Sequence, residues 1–113
     1  MFAQEVKEHL VHRLIPFWEG MRDERFGGYY GWKGFDLETD KEAVKGCILN
    51  SRILWFFSNC YLLLGEAKLL EHAGHAYRFL KEHCVDRANG GIYWSVSCDG
   101  KPADTTKHTY NQA

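Results

Sequence analysis

The chain has 113 residues, 45% of them hydrophobic and 15% aromatic, which is enough for one domain with a substantial core. Its 14 basic and 15 acidic residues sum to a net charge of −1 and form no run, which excludes a basic nucleic-acid surface and a polybasic membrane patch. The stretch from Met1 to Glu8 is amphipathic and lacks the apolar segment of a secretion signal. Asn50, Arg52 and Asn59 interrupt the most apolar window, so no membrane span is expected. Cys47, Cys60, Cys84 and Cys98 show no close spacing and read as reduced, mostly buried thiols of a cytoplasmic protein.

Taken in order, Phe2, Val6, Leu10 and Leu14, widened by Ala3, Val11 and Ile15, predict an amphipathic helix. Pro16 predicts a kink or break, after which Phe17 and Trp18 cover one end of the core. Between Arg25 and Trp32 the glycines permit a turn and the aromatics suit a short strand. The polar segment from Asp36 to Asp40 is a loop, with Thr39 or Asp40 as N-cap of the next helix. That helix is expected from Ala43 to Leu64, closing at Gly65. A second amphipathic helix then sets Leu69, Leu70, Ala73, Ala76, Tyr77 and Leu80 toward the core, and Glu71, His72, His75, Arg78 and Lys81 toward solvent.

After it, Gly90-Gly91-Ile92-Tyr93 repeats the theme of Gly27-Gly28-Tyr29-Tyr30 at an interval of 63 residues. Each Gly-Gly-x-Tyr follows a helix and a charged turn, so a unit of helix, short hairpin and helix recurs. This pattern predicts an all-α toroid, in which inner helices line a pocket and outer helices shield them. Two units cannot close a ring, and the chain stops at Ala113 just as a helix starts. Residues 1–113 are therefore expected to be the N-terminal portion of one longer domain.

Arg52 is the only formal charge between Lys45 and Glu66. Helical spacing sets it on one face with Trp55, Phe56 and Asn59. A lone guanidinium beside aromatic rings and an amide suits gripping sugar hydroxyls or anionic oxygens. A buried arginine paired with a distant carboxylate would fit the same residues. His9 and His12, like His72 and His75, have the spacing to share a metal, but no third ligand is near and surface histidines are the default. Asp36, Asp40, Asp99 and Asp104 are the carboxylates a glycoside hydrolase would need, yet all sit in polar turns where caps are commoner.

Ser51-Arg52-Ile53-Leu54-Trp55, Gly90-Gly91-Ile92-Tyr93-Trp94 and Lys107-His108-Thr109-Tyr110-Asn111-Gln112-Ala113, in that order, resemble the cellobiose 2-epimerases. These belong to the wider N-acylglucosamine 2-epimerase family, and the similarity extends to Ile15-Pro16-Phe17-Trp18. The resemblance implies an (α/α)6 barrel and reversible C2 epimerisation of the reducing-end glucose of a β-1,4-linked disaccharide. It carries Arg52 and Tyr110 over as substrate-binding residues, joined here by Trp55 and Asn111. The family's acid/base histidines lie on later helices, so no catalytic residue is expected in this chain. No cofactor or metal is expected, and the partner is a small sugar. N-acylglucosamine epimerisation, mannose–glucose isomerisation, a toroid glycoside hydrolase and a carbohydrate-binding scaffold are the alternatives.

Overall fold

The computed structural model describes residues 2–113 and is mostly helical, with one small sheet. The N-terminal helix runs as α1 (Phe2–His9), a π-helical turn (Leu10–Leu14) and α2 (Ile15–Glu19). The chain stays helical through Pro16 instead of breaking there, and Ile15 keeps helical angles of φ −61° and ψ −51°. The proline's missing N–H falls just after the π turn, where the regular bonding register is already interrupted. Ile15 is buried, whereas α1 buries nothing, leaving Phe2 and Val6 exposed.

The chain then turns tightly from Met21 to Tyr30. The Asp23 carboxylate accepts bonds from the amides of Arg25 (2.8 Å) and Phe26 (3.0 Å). Gly27 and Gly28 take φ of 85° and 66°, and the Asp23 amide donates to the Gly28 carbonyl across the turn. The strand expected here is reduced to a single bridge, Arg22 to Tyr29, because the turn is too tight for a longer ladder.

β1 (Lys45–Gly46) replaces the first turn of the helix expected from Ala43. It pairs antiparallel with β2 (Ser95–Val96), and β2 pairs antiparallel with β3 (Pro102–Asp104). Short hairpins between helices were expected: β2 and β3 form one, and β1 joins it from the entry to the next helix. The long helix α3 (Cys47–Leu64) starts from an extended Gly46 with no side-chain cap. Thr39 and Asp40 do not cap it: the Thr39 hydroxyl accepts from the Lys33 ammonium, and Asp40 accepts from the Glu42 amide. Its end is as expected, with Gly65 at φ 72° donating its amide to the Tyr61 carbonyl.

α3 packs chiefly on α4 (Ala67–Phe79), which continues through a π turn at Leu80–Cys84. Ile53, Phe57 and Cys60 of α3 meet Leu69, Ala73 and Ala76 of α4, with Met21 and Tyr29 from the turn and Ile15. A second cluster joins Cys47, Phe79, Cys84 and Val96 beside the sheet. α3 is long and apolar enough to cross a membrane by composition alone, with mean hydropathy 1.3. A core helix passes the same test, and its buried stripe lies against α4.

The face assigned to α4 needs correction. His72 and His75 turn inward while Leu70 and Tyr77 lie outside, 52% and 54% exposed. The reason is polar satisfaction rather than hydropathy. His75 Nε2 lies 2.8 Å from the Gly28 carbonyl oxygen, to which it donates as the neutral ring. The Tyr29 hydroxyl lies 2.8 Å from His72 Nδ1 and donates to the His72 carbonyl. The His72 ring also stacks on Phe57 at 4.6 Å. Burial pushes both imidazoles below their usual value.

Candidate functional site

α3 buries Ile53, Phe57 and Cys60, so the helical period carries Arg52, Trp55 and Asn59 to the opposite, exposed side. Arg52 is not the buried structural cation that its surroundings in sequence allowed. It lines an open cavity of about 380 Å³ with Trp18, Leu49, Ile53, Trp55 and Phe56. Trp55 is 68% exposed, so its indole is available as a flat apolar surface rather than spent on packing. Asn59 lies outside this cavity and donates back to the Trp55 carbonyl at 2.8 Å.

The other two expected residues stand on α5 (Thr109–Gln112). Tyr110 is exposed, with its ring edge-on to Trp94 at 5.8 Å and stacked on His108 at 5.7 Å. Asn111 is already engaged, accepting from the His108 amide at 2.8 Å and facing the Tyr93 carbonyl at 3.4 Å. It serves α5 as a cap and has little bonding capacity left for a ligand. Neither Tyr110 nor Asn111 lines the Arg52 cavity, so the four expected residues form two separate pairs among the described residues.

Sequence reasoning passed over the residues that anchor both pairs. Lys45, fully buried at the entry to α3, donates to Asp23 at 2.5 Å, to the Gly27 carbonyl at 2.8 Å and to the Cys98 carbonyl at 2.9 Å. Burial pushes the Asp23 carboxyl up, but the bonds from Lys45 and from the Phe26 and Arg25 amides outweigh it and leave it below its ordinary value. Asn50 then accepts from the Tyr29 amide at 3.1 Å. The signal available was positional: Asp86 precedes the second Gly-Gly as Asp23 precedes the first.

A larger cleft of about 600 Å³ lies by this turn, lined by Asp23, Arg25, Tyr30, Lys41, Cys98 and Asp99 among others. Its buried carboxylate is consumed by Lys45, so it offers little chemistry. The hydrolase alternative loses ground here too. Asp36, Asp40 and Asp104 accept amide bonds from residues two further on, and Asp99 accepts from the Ser97 hydroxyl. Hydrogen bonds from Ser97 and Thr106 hold Asp99 and Asp104 below the usual carboxylate range, whereas a glycosidase acid must be raised. Among the described residues no three of His, Cys, Asp and Glu cluster closely enough to hold a metal ion.

The model of the N-acylglucosamine 2-epimerase (GlcNAc 2-epimerase) family matches residues 28–113. Cellobiose 2-epimerase of Eubacterium cellulosolvens is 57% identical over the whole chain, which spans 28% of that relative. Cellobiose 2-epimerase of Ruminococcus albus is 52% identical, again over the whole chain and 29% of the relative. A crystal structure of a sugar epimerase from a ruminal bacterium superposes with a TM-score of 0.96 at 52% identity, covering 98% of this chain and 28% of that one. The chain thus spans under a third of the length of the relatives it matches. The chain belongs to the N-acylglucosamine 2-epimerase family.

Proposed function

We propose that residues 1–113 are the N-terminal part of an (α/α)6-barrel sugar 2-epimerase, and that they supply substrate contacts rather than its acid/base pair. The observation that carries this reading is Arg52, exposed on α3 within an aromatic-lined cavity. The substrate class is a β-1,4-linked disaccharide such as cellobiose, the sugar in the names of the two curated relatives described above.

In the proposed reaction the reducing-end ring opens and a base removes the C2 proton. An enediolate forms, and a proton returns from the opposite face to leave mannose in place of glucose. Imidazoles suit both transfers because they titrate near neutrality. By the family resemblance they would come from beyond residue 113, and His72 and His75, packed in the core, are not available for the role. Arg52 would hold the negative charge that develops on the enediolate oxygens, where its five donors act without needing to titrate. Trp55 and Tyr110 would flank the sugar.

The test is to incubate the full-length polypeptide with cellobiose in heavy water and follow the proton NMR spectrum. The expected product is a glucosyl-mannose carrying deuterium at C2, lost by about a hundredfold or more in Arg52→Ala. Free glucose would place the protein among hydrolases, and exchange only with N-acetylglucosamine or mannose would change the substrate and keep the mechanism.

A further inference from the structure

The two Gly-Gly turns are built on one plan. In the first, the Asp23 carboxylate closes the turn, Lys45 reaches it from the entry to α3, and Asn50 accepts from the Tyr29 amide. In the second, the Asp86 carboxylate accepts from the Ala88 (3.1 Å) and Asn89 (3.0 Å) amides. Lys107, at the entry to α5, donates to Asp86 at 2.6 Å. Gln112 then accepts from the Ile92 amide at 2.7 Å and donates to the Ile92 carbonyl at 2.8 Å. Asp86 stands 63 residues after Asp23, Lys107 62 after Lys45, and Gln112 62 after Asn50. An aspartate, a lysine and an amide thus recur together, each time tying a turn to the start of a helix.

In the second unit the tie brackets Tyr110. Lys107 anchors the chain before it and Gln112 after it, both on the Asp86–Ile92 turn. Gly91 provides the room: a Cβ there would come within 2.6 Å of Gln112 Oε1 and 3.2 Å of Lys107 Cδ. Gly90 has the same φ of 81°, yet a Cβ on it would meet nothing within 4 Å.

We infer that Asp86, Lys107 and Gln112 are positioning residues that set Tyr110 for sugar binding, an inference that rests on the proposed epimerase reading. None of the three need touch the substrate. Removing the tie lets α5 shift, and a shift of an ångström or so in a binding side chain weakens substrate capture.

The test compares Gly91→Ala and Lys107→Met with Gly90→Ala and Lys107→Arg in the full-length polypeptide. Kinetics with cellobiose are read alongside the fluorine NMR line of 3-fluorotyrosine placed at position 110. Gly90→Ala and Gly91→Ala carry the same backbone strain, so an effect of that strain alone would move both alike. The expected result is a KM raised about tenfold in Gly91→Ala and Lys107→Met with kcat within about threefold, and a shifted or broadened fluorine line. Gly90→Ala keeps the native line, and Lys107→Arg, which retains the charge facing Asp86, recovers most of the loss. A native line in both Gly91→Ala and Lys107→Met, or equal KM values for the two alanine variants, would overturn the inference. If the unaltered polypeptide fails to convert cellobiose, the epimerase reading falls, and the fluorine line alone decides whether the tie holds Tyr110.

Discussion

The two turn units differ in what covers the same ion pair. Lys45 and Asp23 have side chains 0% and 2% exposed, sealed beneath Tyr30, Phe79 and the Cys98 carbonyl. Lys107 is 30% exposed, although its partner Asp86 is itself buried, with a side chain 6% exposed. The first unit has α4 packed over it, with Phe79 pressed on Gly27 and Gly28. The second rests on the π turn at Leu80–Cys84 through the Val85–Ile92 bridge and the Tyr93 amide, with Lys107 and Gln112 beside Gly91. One sequence plan therefore yields a fully sealed ion pair in one place and a pair with a part-exposed cation in the other, because packing sets the dielectric around the charges.

The strongest way to break the comparison is Lys45→Met. It leaves the Asp23 carboxylate buried without its cation, which costs about 3–5 kcal/mol. Denaturant unfolding of the full-length polypeptide is expected to show this, while Lys107→Met moves the midpoint far less. Equal shifts would mean that burial does not separate the two units.

Gly28→Ala comes next. Its Cβ would lie 2.8 Å from Phe79 Cδ1 and Cγ and 3.0 Å from Asn50 Oδ1, on a residue already at φ 66°. Both neighbours are buried and cannot retreat, so about 3 kcal/mol is expected from strain and overpacking together. Gly90→Ala meets open space and costs about 1–2 kcal/mol for the backbone alone. A thermal melt of the two variants side by side measures the difference, and the same loss in both would remove Phe79 as its cause.

Acid sharpens the comparison more gently. His72 and His75 serve the first unit and are held below their ordinary value of 6.5 by burial. The unfolded chain takes up protons at these sites before the folded chain does. Their contribution is complete above 6.5 and is lost as pH falls toward the lowered folded values. The urea midpoint is therefore expected to fall from about pH 7.5 to about pH 5.5, and His75→Gln to flatten that fall. Asp86 behaves oppositely in range. The Lys107 hydrogen bond depresses it, so its contribution persists through this window and is lost only below the ordinary carboxylate value of 3.8. A midpoint unchanged across the window would mean that the imidazoles titrate freely in the fold.

Much of this was legible in the residues alone. Periodicity located the helices, Gly65 ended α3, and the 63-residue recurrence of Gly-Gly exposed the repeat, because these are local properties of backbone and spacing. Arg52 stood out as a lone charge in an apolar run, and the motifs around it pointed to the family. Tertiary structure decided the rest. Lys45 and Gly46 looked like a helix start until a strand 50 residues downstream offered them a ladder. His72 and His75 read as a polar face, yet both faced inward once Tyr29 and the Gly28 carbonyl supplied partners from a distant turn. Whether a polar side chain is buried depends on who can bond it there, and that partner is rarely a neighbour in sequence.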